Sequence, residues 1–280
     1  MIADLARLAR VRIGLLAAAG AVAGQLLWQG RGGPLPWASA LAAFLLAAGC
    51  SALNQAQEGR RDALMARTRH RPLPAGRLSR AWVLGLALVW LGLALALLWD
   101  QGGLAPVGLG LAVILIYNGI YTPLKGVTPW CLLLGAVAGA LPPLLGWLLA
   151  GGPPDDFRAL LLVAVFYLWQ IPHFALLARR HPADYRAAGL PLAWPARGSR
   201  EGRWSLLVWL TGYAALVALT PALGLVGNPA AKLALAGLAL ALVLAGAAVL
   251  RRERLGYRLL SLSLVYFLAC VIVDAAWLGA

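Results

Sequence analysis

The stretch Ala81-Trp-Val-Leu-Gly-Leu-Ala-Leu-Val-Trp-Leu-Gly-Leu-Ala-Leu-Ala-Leu-Leu-Trp99 contains no charged side chain. A helix of about twenty apolar residues is long enough to cross the ~30 Å hydrocarbon core of a bilayer. Apolar blocks of similar length recur along the chain, and we interpret nine of them as transmembrane helices. Their predicted bounds are 9–28, 37–57, 81–99, 104–121, 129–149, 157–178, 204–222, 230–250 and 257–278.

The composition of the whole chain supports this interpretation. Of its 280 residues, 62% are hydrophobic and 12% are charged, whereas soluble domains are about 45–50% apolar and about 25% charged. The chain therefore lacks the polar surface of a soluble domain, and it is neither disordered, nor collagen-like, nor a soluble nucleic-acid binder. The three cysteines, Cys50, Cys131 and Cys270, are scattered among apolar segments, which argues against a disulfide framework or a zinc site. The sequence predicts an all-α, polytopic membrane bundle forming one domain over residues 1–280.

The basic residues indicate which side of the membrane each loop occupies. The net charge is +14, and 21 of the 24 Lys and Arg residues fall in or beside the N-terminal arm and the loops 58–80, 122–128, 179–203 and 251–256. Cytoplasmic loops of membrane proteins carry such an excess of basic residues. We therefore expect the N-terminus and these loops to be cytoplasmic and, after nine spans, the C-terminus to lie outside a bacterial inner membrane. This arrangement explains the charge without a nucleic-acid partner.

A first group of polar residues stands at the end of the second predicted span. Asn54, Glu58 and Asp62 are spaced four residues apart, so each step turns the side chain by only ~40° and all three share one helix face. Oxygen donors of this kind suit Mg²⁺, which completes its shell with water and substrate phosphates. Arg67 and Arg71 follow, and their planar guanidinium groups match phosphate oxygens. The pattern indicates a metal-bound diphosphate.

The alternative interpretation of this group is a solvated helix end followed by arginines that only set the membrane topology. Asn54 argues against it, because this residue is predicted to lie a turn or more inside the apolar span. An amide without a partner is costly there. We call the three residues Asn54, Glu58 and Asp62 the oxygen ladder.

Two further groups of polar residues follow. Lys125 is the only charged residue in the loop after the fourth span, and its compact ammonium group is suited to neutralising a diphosphate, although a lone basic residue can also serve the topology alone. In the sixth span, Gln170 and His173 lie three residues apart around Pro172. Polar groups inside a membrane usually face a cavity and mark a substrate path. The alternative for His173 is a hydrogen bond between helices.

Taken in order, these stretches resemble the UbiA superfamily of intramembrane prenyltransferases. The first likeness is the oxygen ladder followed by Met65-x-Arg67-Thr68-x-x-Arg71-Pro72-Leu73. Other stretches are similar to one branch of that superfamily, the protoheme IX farnesyltransferases or haem O synthases. They are Tyr121-Thr-Pro-Leu-Lys125 through Gly139-Ala-Leu-Pro142-Pro143-Leu-Leu-Gly146-Trp147, Trp169-Gln170-Ile-Pro172-His173-Phe174, and Asp184-Tyr185-x-x-Ala188-Gly189-x-Pro191. The likeness covers essentially the whole chain.

The chain departs from the family pattern at three places. The second helical acidic motif of the wider superfamily is absent, which the chain shares with the haem O synthase branch. The Lys-Pro pair that usually opens the first span is replaced by Arg10-Val11-Arg12, and the segment after Gly189 reads Pro191-Leu-Ala-Trp-Pro195. The last two differences bear on the acceptor rather than on the diphosphate chemistry.

The resemblance implies a UbiA-type bundle that transfers a farnesyl group from farnesyl diphosphate to the vinyl group of protohaem IX (haem b), giving haem O. The cytoplasmic loops 58–80 and 179–203 would form the mouth of the active site. The resemblance implies that Mg²⁺ is bound by Asn54, Glu58 and Asp62, and that these three residues and Lys125 are catalytic. It implies that the diphosphate is bound by Arg67, Arg71, Lys125 and Arg180. It implies that the acceptor is bound by Gln170, His173, Asp184 and Tyr185.

Two other functions are compatible with the same residues. The first is prenylation of another electron-rich acceptor, an aromatic ring or a quinone precursor, by the same chemistry from a farnesyl or other prenyl diphosphate. The second is a membrane transporter with an anion-binding vestibule on the cytoplasmic side. Analysis of the prenylated product separates the first from haem farnesylation, and a transporter would retain its function without Mg²⁺.

Overall fold

The computed structural model of the chain describes residues 1–191, 200–249 and 253–278. Within these residues every regular element is a helix. Leu- and Ala-rich runs favour helix, and a helix satisfies its own backbone hydrogen bonds where no water can do so. The α-helices are α1 Ile2–Ala9, α2 Val11–Gln29, α3 Trp37–Leu64, α4 Arg80–Gly102, α5 Leu104–Ile114, α6 Thr122–Leu124, α7 Cys131–Ala140, α8 Pro142–Leu149, α9 Phe157–Arg180, α10 Pro182–Ala187, α11 Arg200–Leu219, α12 Pro229–Val249 and α13 Glu253–Val273.

The helices account for the predicted spans. In the described part of the chain, eight helical segments are long and apolar enough to cross a membrane, and a shorter apolar segment, Pro229–Leu244, lies in α12. The prediction of an all-α integral membrane protein with about nine spans is confirmed. Residues 192–199 of the predicted mouth loop, residues 250–252 at the end of the eighth span and in the basic loop after it, and residues 279–280 lie outside the described residues.

Three of the predicted spans differ in detail from the helices. The first is broken at Arg10, whose backbone is left-handed (φ 48°, ψ 55°), so α1 and α2 are separate helices. The fourth passes from α5 through a π-helical segment, Leu115–Tyr121, into α6. The fifth is divided between α7 and α8 at Leu141, directly before Pro142, because proline has no N–H to continue the helix ladder.

Helices α2 and α8 pack closely through glycine. A Cβ atom on Gly24 would collide with the carbonyl group of Pro143, and one on Gly146 would collide with the carbonyl group of Ala21. Small residues let the backbones of membrane helices approach each other in this way. We call this contact the α2–α8 seam.

A cavity lies between two clusters of buried apolar side chains. One cluster contains Phe166 of α9, with Tyr213 and Phe267 from α11 and α13. The other contains Leu46 of α3 and Leu145 of α8. Phe166, Leu46 and Leu145 all line the cavity, so both clusters contribute side chains to its wall.

Candidate functional site

The cavity has a volume of about 600 Å³ and brings together most of the residues that the sequence singled out. Its walls include apolar side chains such as Leu16, Leu46, Val113 and Leu145. Eight predicted site residues also line it: Glu58, Asp62, Arg67, Arg71, Lys125, Gln170, His173 and Tyr185. Residues of both predicted mouth loops, 58–80 and 179–203, are among them.

The oxygen ladder is buried in the bundle. Asn54, Glu58 and Asp62 have relative exposures of 0%, 9% and 1%, respectively, so this face of α3 is turned away from lipid. The amide nitrogen of Asn54 donates to Glu58 Oε2 at 2.7 Å and to Thr122 Oγ1 at 3.0 Å. Glu58 and Asp62 reach the cavity wall, and Asn54 lies against Glu58.

A cation contacts each member of the ladder. Lys125 Nζ donates to Glu58 Oε2 at 2.7 Å and Arg71 Nη1 to Asp62 Oδ2 at 2.7 Å. Arg10 Nη2 donates to Asn54 Oδ1 at 3.2 Å. Hydrogen bonds to ionised groups are stronger than neutral ones. The ladder and its three cations therefore form one compact charge cluster.

The surroundings of Arg71 change the pKa of its side chain. Burial lowers the pKa of its guanidinium group from the ordinary value, and the nearby charge of Arg10 lowers the pKa further. The Asp62 carboxylate opposes both effects. Arg71 stays charged, because the ordinary pKa of arginine lies far above neutral pH.

Asp184 joins the turn after α3 to α10. Its carboxylate accepts hydrogen bonds from the backbone N–H groups of Ala66 at 2.8 Å and Arg67 at 3.3 Å, and it lies 3.9 Å from Arg67 Nε. The Arg67 guanidinium group lies 5.6 Å from the ring centre of Tyr185. Burial raises the pKa of the Tyr185 hydroxyl, while the charge of Arg67 lowers it. Asp184 thus fixes the position of Arg67 at the cavity.

Asp184 and Arg180 are not among the residues lining the cavity in the described part of the chain. Arg180 instead places its guanidinium group 4.7 Å from the ring centre of Tyr257. Their predicted contacts with acceptor and diphosphate, respectively, stay predictions.

His173 lies in an aromatic wall between α9 and α13. Its ring stacks on Trp169, with ring centres 4.5 Å apart, and lies 4.8 Å from the ring of Tyr257. Its Nε2 is 3.4 Å from the Tyr257 hydroxyl, and its Nδ1 is 3.5 Å from Ser261 Oγ. The Ser261 hydroxyl donates to the carbonyl of Tyr257 at 2.7 Å, so its oxygen is available to Nδ1 only as an acceptor. This arrangement favours the tautomer protonated at Nδ1.

Gln170 is held at the same wall by backbone carbonyl groups. Its amide nitrogen donates to Ala136 and Phe166, both at 3.1 Å. The nitrogen is therefore engaged with the protein, which leaves the amide oxygen as the group that can accept a hydrogen bond from a bound molecule.

Sequence reasoning did not assign three residues that the fold brings to this region. Arg10 stands where the chain departs from the Lys-Pro pair of the family, and that departure was the only signal for it. Tyr257 and Ser261 lie four residues apart on α13, hence on one face. They carry no motif, and only their contact with His173 reveals them.

The donor set of the ladder is suited to a hard cation. No group of three or more His, Cys, Asp or Glu residues in the described ranges is arranged to hold a metal ion. The ladder offers two carboxylates and one amide oxygen instead. Mg²⁺ commonly takes one or two carboxylates from the protein and its remaining ligands from water and substrate phosphates. The residues present therefore fit Mg²⁺ bound together with a phosphate ligand.

Comparison with known proteins identifies the family. Residues 15–271 match the UbiA prenyltransferase family. This chain belongs to that family. A protoheme IX farnesyltransferase of Geobacter sulfurreducens is 46% identical over 216 residues, which cover 77% of this chain and 80% of that protein. A protoheme IX farnesyltransferase of Nitratidesulfovibrio vulgaris (strain DP4) is 38% identical over 280 residues, covering 98% of this chain and 95% of the relative.

Solved structures of the family share the fold. A UbiA homologue from Aeropyrum pernix K1 superposes with a TM-score of 0.79 at 23% identity, over 94% of this chain and 98% of that one. A UbiA homologue from Archaeoglobus fulgidus bound to GPP and Mg²⁺ has a TM-score of 0.65 at 14% identity, over 98% and 99% of the two chains. The predicted family resemblance is confirmed, and the chain is a prenyltransferase. The alternative of a transporter is wrong.

Proposed function

We propose that this prenyltransferase transfers a farnesyl group from farnesyl diphosphate to a vinyl group of protohaem IX, with Mg²⁺, and so forms haem O. The observation that supports this proposal most strongly is the identity of 38–46% with relatives named protoheme IX farnesyltransferase. The site agrees with it, because one cavity combines a charge cluster, apolar walls and an aromatic wall. The charge cluster suits a diphosphate, and the other surfaces suit an isoprenoid chain and a porphyrin.

Glu58 and Asp62, with the amide oxygen of Asn54, would hold the magnesium ion. When bound, such an ion acts as a Lewis acid on the diphosphate oxygens. Lys125, Arg71 and Arg67 lie around the same end of the cavity. They stabilise the negative charge that grows on the leaving pyrophosphate as the bond between C1 and oxygen breaks, which is the largest effect expected in such a site.

The broken bond leaves its electron pair on pyrophosphate and an allylic cation on the farnesyl chain. The π electrons of the haem vinyl group form the new carbon–carbon bond, and water adds to the resulting cation next to the porphyrin ring. Loss of a proton from that water gives the hydroxyl group. We assign the orientation of porphyrin or water to His173, Gln170 and Tyr185, because all three line the cavity.

We further propose that the charged end of the cavity faces the cytoplasm of a bacterial cell and that loops 58–80 and 179–203 form its mouth. The excess of Lys and Arg in these loops supports this orientation. The diphosphate headgroup of the prenyl donor would then enter from the cytoplasm and lie beside Lys125, Arg67 and Arg71. The isoprenoid chain would remain against the apolar walls.

Product analysis tests the proposed reaction. Purified protein is incubated with farnesyl diphosphate, haem and Mg²⁺, and a product with the mass of hydroxyethylfarnesyl haem is expected. A quinone precursor offered under the same conditions should remain unmodified. Prenylation of the quinone precursor with unchanged haem would contradict the proposed acceptor and favour the alternative.

Removal of the metal or of a ladder residue should stop the reaction. We expect EDTA, Asp62→Ala or Asn54→Ala to lower turnover by about a hundredfold or more, because charge on the leaving group loses its preorganised stabilisation. Asp155→Ala, which removes an exposed carboxylate outside the cavity, is the matched control and should keep wild-type turnover. Wild-type rates for Asp62→Ala in folded, monodisperse protein would contradict the metal assignment.

A further inference from the structure

The three cations on the oxygen ladder come from three separate parts of the chain. Arg10 precedes α2, Arg71 follows α3, and Lys125 follows α6. The paired side chains are largely buried: Lys125 and Glu58 are 17% and 10% exposed, and Arg71 and Asp62 are 21% and 2% exposed. Two carboxylates and an amide oxygen therefore have protein cations as their partners.

These pairings compete with both ligands of the proposed reaction. A metal ion requires the oxygen atoms of the ladder, and a diphosphate requires the cations that now contact them. If either ligand bound alone, it would separate the pairs and leave charged groups buried without a partner, which is strongly unfavourable. If both bind, the oxygens pass to the metal and the cations pass to the diphosphate. No buried charge is then left unpaired.

We propose that Arg10, Arg71 and Lys125 act as internal counter-ions of the oxygen ladder and couple the binding of metal and diphosphate, so that each ligand raises the affinity of the other. The proposal rests on the proposed function, because it takes the ladder as the metal site of a prenyl diphosphate. In this proposal Arg10 competes with the metal for the amide oxygen of Asn54, to which it donates a hydrogen bond.

The backbone of Arg10 supports its part in this cluster. In the described part of the chain it is the only residue other than glycine with a positive φ angle, a conformation that L-residues rarely adopt. The left-handed turn between α1 and α2 places its guanidinium group 3.2 Å from Asn54 Oδ1 and 3.5 Å from the Tyr117 hydroxyl. An unfavourable backbone conformation at such a position is typical of a functional constraint.

Separate binding measurements on the whole protein in detergent test the coupling. Mn²⁺ replaces Mg²⁺ and is titrated alone by electron paramagnetic resonance, and inorganic pyrophosphate is titrated by calorimetry, once in EDTA and once with saturating Mn²⁺. In Lys125→Met we expect the affinity for Mn²⁺ alone to rise about tenfold, which is within the usual range of coupling between sites. The reason is that Lys125 no longer competes with the metal ion for the Glu58 carboxylate. The affinity for pyrophosphate at saturating Mn²⁺ should fall by a similar factor.

The mirror variant Glu58→Gln should behave in the opposite way. Its affinity for Mn²⁺ should fall, and its affinity for pyrophosphate in EDTA should rise, because Lys125 is no longer engaged by a carboxylate. Arg10→Gly removes the guanidinium group while keeping a residue that tolerates the left-handed backbone. We expect it to raise the affinity for Mn²⁺ alone, which provides a second test if Lys125→Met fails to fold.

Two control variants separate the coupling from a general loss of charge. Arg67→Met removes a cation at the cavity that contacts Asp184 rather than the ladder, so it should weaken pyrophosphate binding without raising the affinity for Mn²⁺. Lys232→Met removes the other lysine of the chain, which is exposed on α12, and should change neither affinity. Lys125→Arg keeps a cation at this position, so both affinities should stay closer to those of the wild type than in Lys125→Met.

The outcomes distinguish the coupling from the proposed function. If Lys125→Met and Arg10→Gly leave the affinity for Mn²⁺ alone unchanged or lower it, the coupling is refuted, even if the wild type still makes farnesylated haem. If the wild type binds neither Mn²⁺ nor pyrophosphate even when both are present, both the coupling and the proposed function fail. Opposite shifts in Lys125→Met and Glu58→Gln support the coupling.

Discussion

His173 is the residue whose surroundings are most specific on the proposed acceptor side of the cavity. Trp169 stacks on one part of its ring, and Tyr257 and Ser261 face its two nitrogen atoms. Because Ser261 donates its own proton to a backbone carbonyl, the imidazole is held in one orientation with Nε2 directed toward the Tyr257 hydroxyl. With both nitrogen atoms facing protein partners, the imidazole ring is held in a fixed position at the cavity wall.

We predict that Tyr257→Phe raises KM for haem and leaves KM for farnesyl diphosphate unchanged. Loss of one hydrogen bond is typically worth about 0.5–1.5 kcal/mol, which corresponds to about a twofold to twelvefold rise. Steady-state kinetics with each substrate varied in turn provide the measurement. Tyr266→Phe, on an exposed part of the same helix, is the matched control. A parallel rise in both KM values would show that Tyr257 supports the bundle in general rather than the acceptor side.

Among the helices, the α2–α8 seam is the contact with the least room for change. Its partners are backbone carbonyl groups facing Gly24 and Gly146, and backbone cannot move aside as a flexible side chain can. Helix α2 also follows Arg10, and α8 carries Leu145 of the cavity wall. The distance between these helices therefore affects both the charge cluster and the apolar wall.

We expect Gly146→Ala to destabilise the protein by about 1–3 kcal/mol or more, as overpacking of a tight core does, because the added Cβ collides with the carbonyl of Ala21. Gly92→Ala on α4 is the control. No atom lies within 4 Å of its added Cβ, and alanine is a better helix former than glycine. Thermal unfolding in detergent, followed by circular dichroism, should show a lower Tm for Gly146→Ala and an equal or slightly higher Tm for Gly92→Ala. Equal Tm values for the two variants would contradict the importance of the seam.

Across the whole molecule, the distribution of charge favours the proposed orientation in the membrane. The basic segment 58–80 begins in the last turns of α3, beside the charge cluster, whereas the loop between α8 and α9 contains Asp155 and Asp156. This distribution supports a cytoplasmic cavity mouth. The orientation in the membrane thus accounts for the net charge of +14 without a nucleic-acid partner.

Labelling of single cysteines tests this orientation. In a variant whose three native cysteines are replaced by alanine, Asp155→Cys should react with a membrane-impermeant maleimide on intact cells. Arg69→Cys should react only after the membrane is permeabilised, because both positions are exposed but the proposed orientation places them on opposite sides of the membrane. The reverse pattern would place the charge cluster outside the cell.

The sequence was sufficient for the features that depend on local periodicity. Apolar blocks of about twenty residues predicted the spans, and the spacing of the ladder placed Asn54, Glu58 and Asp62 on one buried face of α3. Short motifs also predicted the family. These features follow from the helix repeat and from the hydrophobicity of the bilayer, which act within a few turns of chain.

Contacts between distant segments could not be predicted in the same way. Glu58 and Lys125 are separated by 67 residues, and Asp184 and Ala66 by 118, so their pairing depends on how the helices assemble. The left-handed turn at Arg10 was also unexpected, because arginine has no intrinsic preference for it. The partner of each of these polar groups follows only from the tertiary structure.

The α2–α8 seam has a consequence for how this enzyme can diversify. Because its partners are main-chain atoms, the seam leaves no room for a side chain at Gly24 or Gly146. The leucines and valine of the cavity wall are under no such geometric constraint. Exchange of large for small apolar residues there would enlarge the volume offered to an isoprenoid without changing the seam, so we expect the accepted chain length to vary through the cavity wall rather than through the scaffold.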